Sequence, residues 1–232
     1  MTLENPVGNR RVHPTDRPAE FRYGVVLLLT LALVVFVIAA PSANRSRAAA
    51  LAIEGVALVF AIATARERQQ VRRRRAVGVG VGVVMIVLIL LVATGAAPRQ
   101  LTAAANVLIT AAIPVVIVGG LLGLLRERGV TVQAVAGALA IYLAVGLVFA
   151  SIIGFINHLD STPYFAQHTS GTEGDRAYFS FTVLTTTGFG DFSAATAVGH
   201  ALAVIEELTG QLYLVTVIGL LIGNFAGRRK TT

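Results

Sequence analysis

Long apolar runs, separated by short polar links that carry most of the arginines, set the pattern of the chain. Six runs stand out: Tyr23 to Ala40, Ala48 to Ala65, Ala76 to Ala97, Leu101 to Leu125, Val130 to Ile156 and Ala197 to Ala226. Each approaches or exceeds the roughly 20 residues that carry a helix across a hydrocarbon core of about 30 Å. The pattern therefore predicts an all-α membrane protein with six transmembrane helices. The first run is expected to be retained and not cleaved as a signal peptide. Its leader is long and carries Glu4, Asp16 and Glu20, and Pro41 follows the best cleavage candidate, Ala40. Met1 to Arg22, with Pro6, Pro14 and Pro18, reads as a flexible tail. Glu54 interrupts the second run; a lone carboxylate at that depth is costly, so it is expected in a polar contact between packed helices. Gly78, Gly80 and Gly82 suit close helix approach in the third run, and Pro114 is expected to kink the fourth.

Between the fifth and sixth runs the pattern changes character. Ser161 to Asp175 is turn-rich and acidic, and Ala177 to Ser193 then reads AYFSFTVLTTTGFGDFS. Tyr178 to Thr185 is long enough for about two helical turns. Such a helix would aim its partly negative C-terminus at whatever lies below the following loop, which suits a cation. In that loop Gly188 and Gly190 stand one residue apart and permit φ of alternating sign, which side-chain-bearing residues resist. A strand of that kind turns successive carbonyls to one side, whereas an ordinary strand alternates. A row of carbonyls is what a dehydrated cation needs in place of its water shell. Thr186 adds a hydroxyl at the inner end of the row, and Asp191 lies just outside it.

TTTGFGD, preceded by the aromatic pair Tyr178-Phe179, resembles the potassium-channel signature, usually T-x-G-Y-G-D or T-x-G-F-G-D. The resemblance covers Val130 to Gly227: outer helix, turret, pore helix, filter and inner helix. It implies a re-entrant pore helix and filter loop between the fifth and sixth spans, with potassium held by carbonyls of Thr186, Thr187, Gly188 and Phe189 and with Gly190 completing the filter. Phe189 departs from the commoner Tyr and loses a bracing hydroxyl; Thr187 departs from the commoner Val. Counting on from the filter as the family does places Gly210 where inner helices often bend, with hinge and close packing as equal readings. Gln211, Leu214, Ile218 and Ile222 follow at helical spacing and are expected to line the cavity and gate. Many filters of the family are braced from behind by an acidic residue on the pore helix; that position resembles Thr182 here. Glu206 or Glu207 on the inner helix is therefore expected to supply the brace, reaching Thr182, Thr185 or Arg176 of a neighbouring copy.

Composition narrows the function classes. Of 232 residues, 55% are hydrophobic and only 13% charged, half of what a soluble domain carries. Cysteine is absent, which removes disulfides, thiolate zinc sites and thiol catalysis. The formal charge of +7 comes from residues in the links, so membrane orientation explains it and nucleic acid does not. With both termini cytoplasmic, fifteen of the nineteen Lys and Arg residues fall on that side; only Arg45, Arg47, Arg99 and Arg176 fall on the other. The pore loop then dips in from outside. The basic link Arg66 to Arg75 is expected against anionic lipid headgroups.

The layout resembles voltage-gated channels, yet Leu101 to Leu125 contains no charged residue, so the gating charges are absent. The expected organisation is a cytoplasmic tail (1–22), a four-span sensor-like region (23–129), a pore domain (130–227) and a second cytoplasmic tail (228–232). One chain supplies one filter strand, so a homotetramer around a shared axis is expected. The reading is a potassium-selective channel of the plasma membrane, with potassium as permeant ion, no other cofactor and no enzymatic chemistry. The alternatives are a weakly selective monovalent cation channel, or a transporter or structural subunit; the latter finds no second related half before Val130.

Overall fold

The computed structural model describes residues 22–39, 53, 55, 56, 59, 98–159 and 162–228. Most of the second and third apolar runs, Glu54, the basic link at 66–75, the three alternating glycines and the tails at 1–21 and 229–232 lie outside the described residues. The elements are α1 (Arg22–Ala39), α2 (Arg99–Arg128), α3 (Val132–Leu159), α4 (Glu173–Leu184), α5 (Ala197–Leu212), a π-helical segment (Tyr213–Ile218) and α6 (Gly219–Arg228). The described residues form no strand; Phe165 makes isolated bridges to Thr169 and Ala194. Gln100–Glu127, Val132–Leu159 and Ala197–Asn224 are each 28 residues of helix, apolar enough to cross a membrane. At a rise of 1.5 Å per residue each reaches about 42 Å, more than a bilayer core requires. Pro114 lies inside α2.

α3 is the central element because its sequence is rich in small residues. Ala134, Ala138, Ala140 and Ala144 are fully buried and share one cluster with Tyr23 and Val26 of α1, Ile113, Ile117 and Leu121 of α2, and Leu221 of α6. The short link after α2 places α2 antiparallel against α3, with Thr131 capping α3 by accepting from the Ala134 amide at 3.2 Å. On the same helix, a Cβ at Gly146 would lie 2.7 Å from the Phe181 ring. Small residues thus bring α4 close to α3, the device that substitutes for a hydrophobic driving force where the surroundings are lipid.

Two expectations are corrected. The short helix was expected over Tyr178 to Thr185, but it begins at Glu173. Thr172 accepts from the Asp175 amide at 3.0 Å and Asp175 accepts from the Thr172 amide at 2.7 Å, a reciprocal cap that starts the helix inside the acidic stretch. That stretch is also more than a turn-rich link. Tyr164 and Phe165 are buried against Phe179, Ala194 and Ile153, and the Phe165 and Phe179 rings meet edge to face at 5.3 Å. Ala166 donates to Ser193 and Ala195 donates to Tyr164, both at 2.9 Å, so the chain after the glycine-containing loop is stitched to the chain before α4.

Candidate ion filter

α4 ends at Leu184, and the chain then folds back against the helix's own last turn. The amides of Thr185 and Thr186 donate to Phe181 and Val183 at 3.1 and 2.8 Å. Those of Thr187 and Gly188 both donate to the Thr182 carbonyl, at 2.9 and 3.1 Å. In a planar trans peptide the carbonyl of one residue points opposite to the amide of the next. The amides of Thr186, Thr187 and Gly188 face α4, so the carbonyls of Thr185, Thr186 and Thr187 all aim away from it. Successive carbonyls on one side is the arrangement an ordinary strand cannot make.

The backbone angles show how it is achieved. Within the motif positive φ occurs at Thr186 (58°), Gly188 (49°) and Gly190 (81°), and not at Thr187 or Phe189. The sign therefore alternates residue by residue through the motif. The two glycines adopt it without steric cost, whereas Thr186 pays about 1–2 kcal/mol for a left-handed conformation. That the threonine joins the alternation was not anticipated from the glycine spacing.

Side chains hold the loop from α4. Thr185 donates to the Phe181 carbonyl at 2.7 Å, and its hydroxyl oxygen is 2.9 Å from that of Thr187. Because the Thr185 proton is committed to Phe181, Thr187 is the donor in the second bond. The result is a relay from Thr187 through Thr185 to α4. Phe189 stacks on Tyr178 at 6.2 Å with planes 5° apart, and Tyr178 also meets Phe192 edge-on at 6.4 Å. Asp191 accepts from the Phe192 amide at 3.1 Å. Residues 185–191 are all exposed in the single chain, Phe189 by 69%.

Behind the loop the arrangement is buried. Glu206 is fully enclosed and hydrogen-bonds to Ser180 of α4, which lies 2.7 Å from the Gly146 carbonyl of α3. Glu207 is exposed, as expected for a neighbour about 100° round the helix. Thr182 and Thr185 do not meet Glu206: the Thr182 hydroxyl donates to Phe179 at 2.8 Å, and positions 180 and 182 point about 200° apart on α4. Arg176 donates to Gly171 at 2.8 Å within its own chain. Ser180 and Gly146 were missed because they are 26 and 60 positions from Glu206 along the chain; the accessible signal was a lone serine among the aromatics of the short helix. Tyr142 was missed too; its hydroxyl donates to the Leu184 carbonyl at 3.1 Å.

Gly210 presses on that same carbonyl: a Cβ there would lie 2.1 Å from Leu184 O, so close packing accounts for the glycine. Below it the helix widens into the π segment, where Thr216 donates to Leu212 and Tyr213 donates to Ala138 at 2.7 Å. Gln211, Leu214 and Ile222 are exposed, but Ile218 packs against the α1–α2–α3 cluster. The extra residue of the π segment takes Ile218 off the line that regular spacing predicts.

Residues 137–226, from the second turn of α3 into α6, match a family model described as an ion channel. No curated protein and no solved structure matches the chain. The resemblance drawn from the filter motif is borne out by the family match over this segment, and the long apolar helices on either side of the loop are of the length and composition that a membrane span needs.

Proposed function

We propose that the protein is a homotetrameric potassium-selective channel of the plasma membrane, conducting passively through a filter of backbone carbonyls. The observation that carries the reading is the alternation of φ sign from Thr186 to Gly190, with the carbonyls of Thr185, Thr186 and Thr187 turned away from α4. With Gly188 and Phe189 continuing the row, each strand offers oxygens that replace an ion's hydration shell. Potassium is held by Thr186, Thr187, Gly188 and Phe189, and Asp191 raises cation concentration at the mouth. The exposure of 185–191 in one chain supports further copies around a common axis, because one strand encloses nothing.

The pore domain spans 130–227, following a sensor-like region at 23–129, with cytoplasmic tails at either end. The loop enters from outside, the cavity and gate take Gln211, Leu214 and Ile222, and the basic link at 66–75 meets anionic lipid. Charge in α2 is confined to Arg99, Arg126, Glu127 and Arg128 at its ends, which supports gating by something other than voltage acting on this helix.

The test is current from purified full-length protein in liposomes with potassium and sodium on opposite sides. The expected reversal potential lies near the potassium equilibrium. A reversal near zero supports the weakly selective reading, and no current in either direction overturns the channel. Crosslinking is expected to stop at four chains; stopping at two would refute the tetramer.

A further inference from the structure

The contact between Glu206, Ser180 and Gly146 has more acceptors than its visible protons allow. The Ser180 oxygen lies 2.7 Å from the Gly146 carbonyl oxygen and within hydrogen-bonding distance of Glu206 Oε1. A serine hydroxyl has one proton to give. If that proton went to an ionised Glu206, the Ser180 and Gly146 oxygens would face each other at hydrogen-bonding distance with no proton between them. If it goes to Gly146, the proton between Ser180 and Glu206 must come from the glutamate.

The surroundings point the same way. Glu206 is fully buried, and its Oε2 has no hydrogen-bonding partner. Of the described residues, the titratable groups that face it are two phenols, Tyr142 on α3 and Tyr164 above α4. Both hydroxyls are committed elsewhere, Tyr142 to Leu184 and Tyr164 to Gly199. An ionised carboxylate there would hold one hydrogen bond and no cation, which burial penalises heavily. A carboxylic acid leaves only a single neutral carbonyl oxygen unpaired.

We infer that Glu206 is held as a neutral acid and donates its proton through Ser180 to the Gly146 carbonyl, forming a relay that ties α5, α4 and α3 together behind the filter. The relay makes Glu206 a positioning residue for the filter, and it acts as a donor, not as a charge. It deepens the channel reading and in its functional arm rests on it.

Infrared difference spectra of the purified full-length protein, wild type against Glu206→Gln, are expected to show one protonated-acid carbonyl band at neutral pH. Ser180→Ala is expected to shift that band, because the acid loses its acceptor. A carboxylate band in its place overturns the inference, and so does an acid band that Ser180→Ala leaves unmoved. This arm needs no conduction, so a non-conducting protein sinks the channel reading while the spectra still decide the relay. In liposomes, Glu206→Ala is expected to lower the potassium-to-sodium permeability ratio about tenfold, with Glu206→Gln, a neutral donor, recovering most of the loss. If Glu206→Gln is as impaired as Glu206→Ala, the negative charge was what mattered and the inference fails.

Discussion

Behind the pore loop, between α3, α4 and α5, the polar atoms are buried and bound: Ser180 to Gly146 and Glu206, Tyr142 to Leu184, Thr182 to Phe179. In front, from Thr185 to Asp191, every residue is exposed and the first carbonyls of the row point away from α4, with no hydrogen bond to them from the described residues. The two faces solve different problems. The back is a packed wedge that fixes where the loop begins. The front is a strained strand whose left-handed Thr186 costs about 1–2 kcal/mol and is held by amides and hydroxyls reaching back to α4 and by the stacking of Phe189 on Tyr178. A substitution in front is therefore expected to alter conduction directly, and one behind to alter assembly or, where it breaks the Glu206–Ser180–Gly146 contact, to reach conduction only through the position of the loop.

Gly188→Ala gives the largest effect. A Cβ at Gly188 meets nothing within 4 Å, so the penalty comes from its φ of 49° alone. At about 1–2 kcal/mol in each of four strands, roughly 4–8 kcal/mol in all, potassium flux in liposomes is expected to fall at least about 100-fold. Because the exposed strand can leave that conformation without unpacking the helices behind it, the melting temperature should fall less than for Gly210→Ala; unchanged flux would erase the distinction between the faces. Gly210→Ala tests the back. Its Cβ would stand 2.1 Å from a backbone oxygen that cannot swing aside, so overpacking of about 1–3 kcal/mol per chain is expected. A lowered melting temperature and loss of the assembled oligomer follow, whereas a pure hinge would change open probability and leave melting alone. Tyr142→Phe is milder. The Leu184 carbonyl loses one donor, worth about 1 kcal/mol, and melting falls by about 2–4 °C with selectivity retained.

The front face was the more legible in sequence, because its conformation is written in residue type. Gly188 and Gly190 announce positive φ, and the apolar runs on either side give α3 and α5 nearly to their ends. The back face was not, because its contacts join residues far apart. A brace from Glu206 or Glu207 is expected from the sequence, but nothing local says which of the two it is or that its partner is Ser180 and not Thr182. That follows from which side of α4 turns toward α3, and the pairing of Gly146 with Phe181 decides it. The start of α4 is written locally: a threonine three residues before an aspartate is a cap even inside an acidic loop. The π segment had no such sign. Val215, Thr216, Val217 and Ile218 are β-branched and weaken helix only slightly, and it is the tertiary bond from Tyr213 to Ala138 that pins the helix where it widens.

The smallest effects concern the two residues that depart from the commoner pattern of the family they resemble. Phe189 lacks a hydroxyl, and Thr187 has one that donates through Thr185 to α4. If the second offsets the first, the pair is a single device moved two residues along the strand. Thr187→Val keeps the shape and removes the donor, at about 1 kcal/mol, so the potassium-to-sodium permeability ratio is expected to fall about fivefold. Phe189→Tyr alone is expected to shift that ratio by no more than about twofold, since the strand is already held. The informative variant carries both changes. The added phenol should then recover part of what Thr187→Val loses, giving a coupling between the two positions that a double-mutant cycle reads directly. Strict additivity would mean that the hydroxyl at 187 and the missing one at 189 serve unrelated ends, and that the exposed ring of Phe189, stacked on Tyr178, steadies the strand without help from the relay.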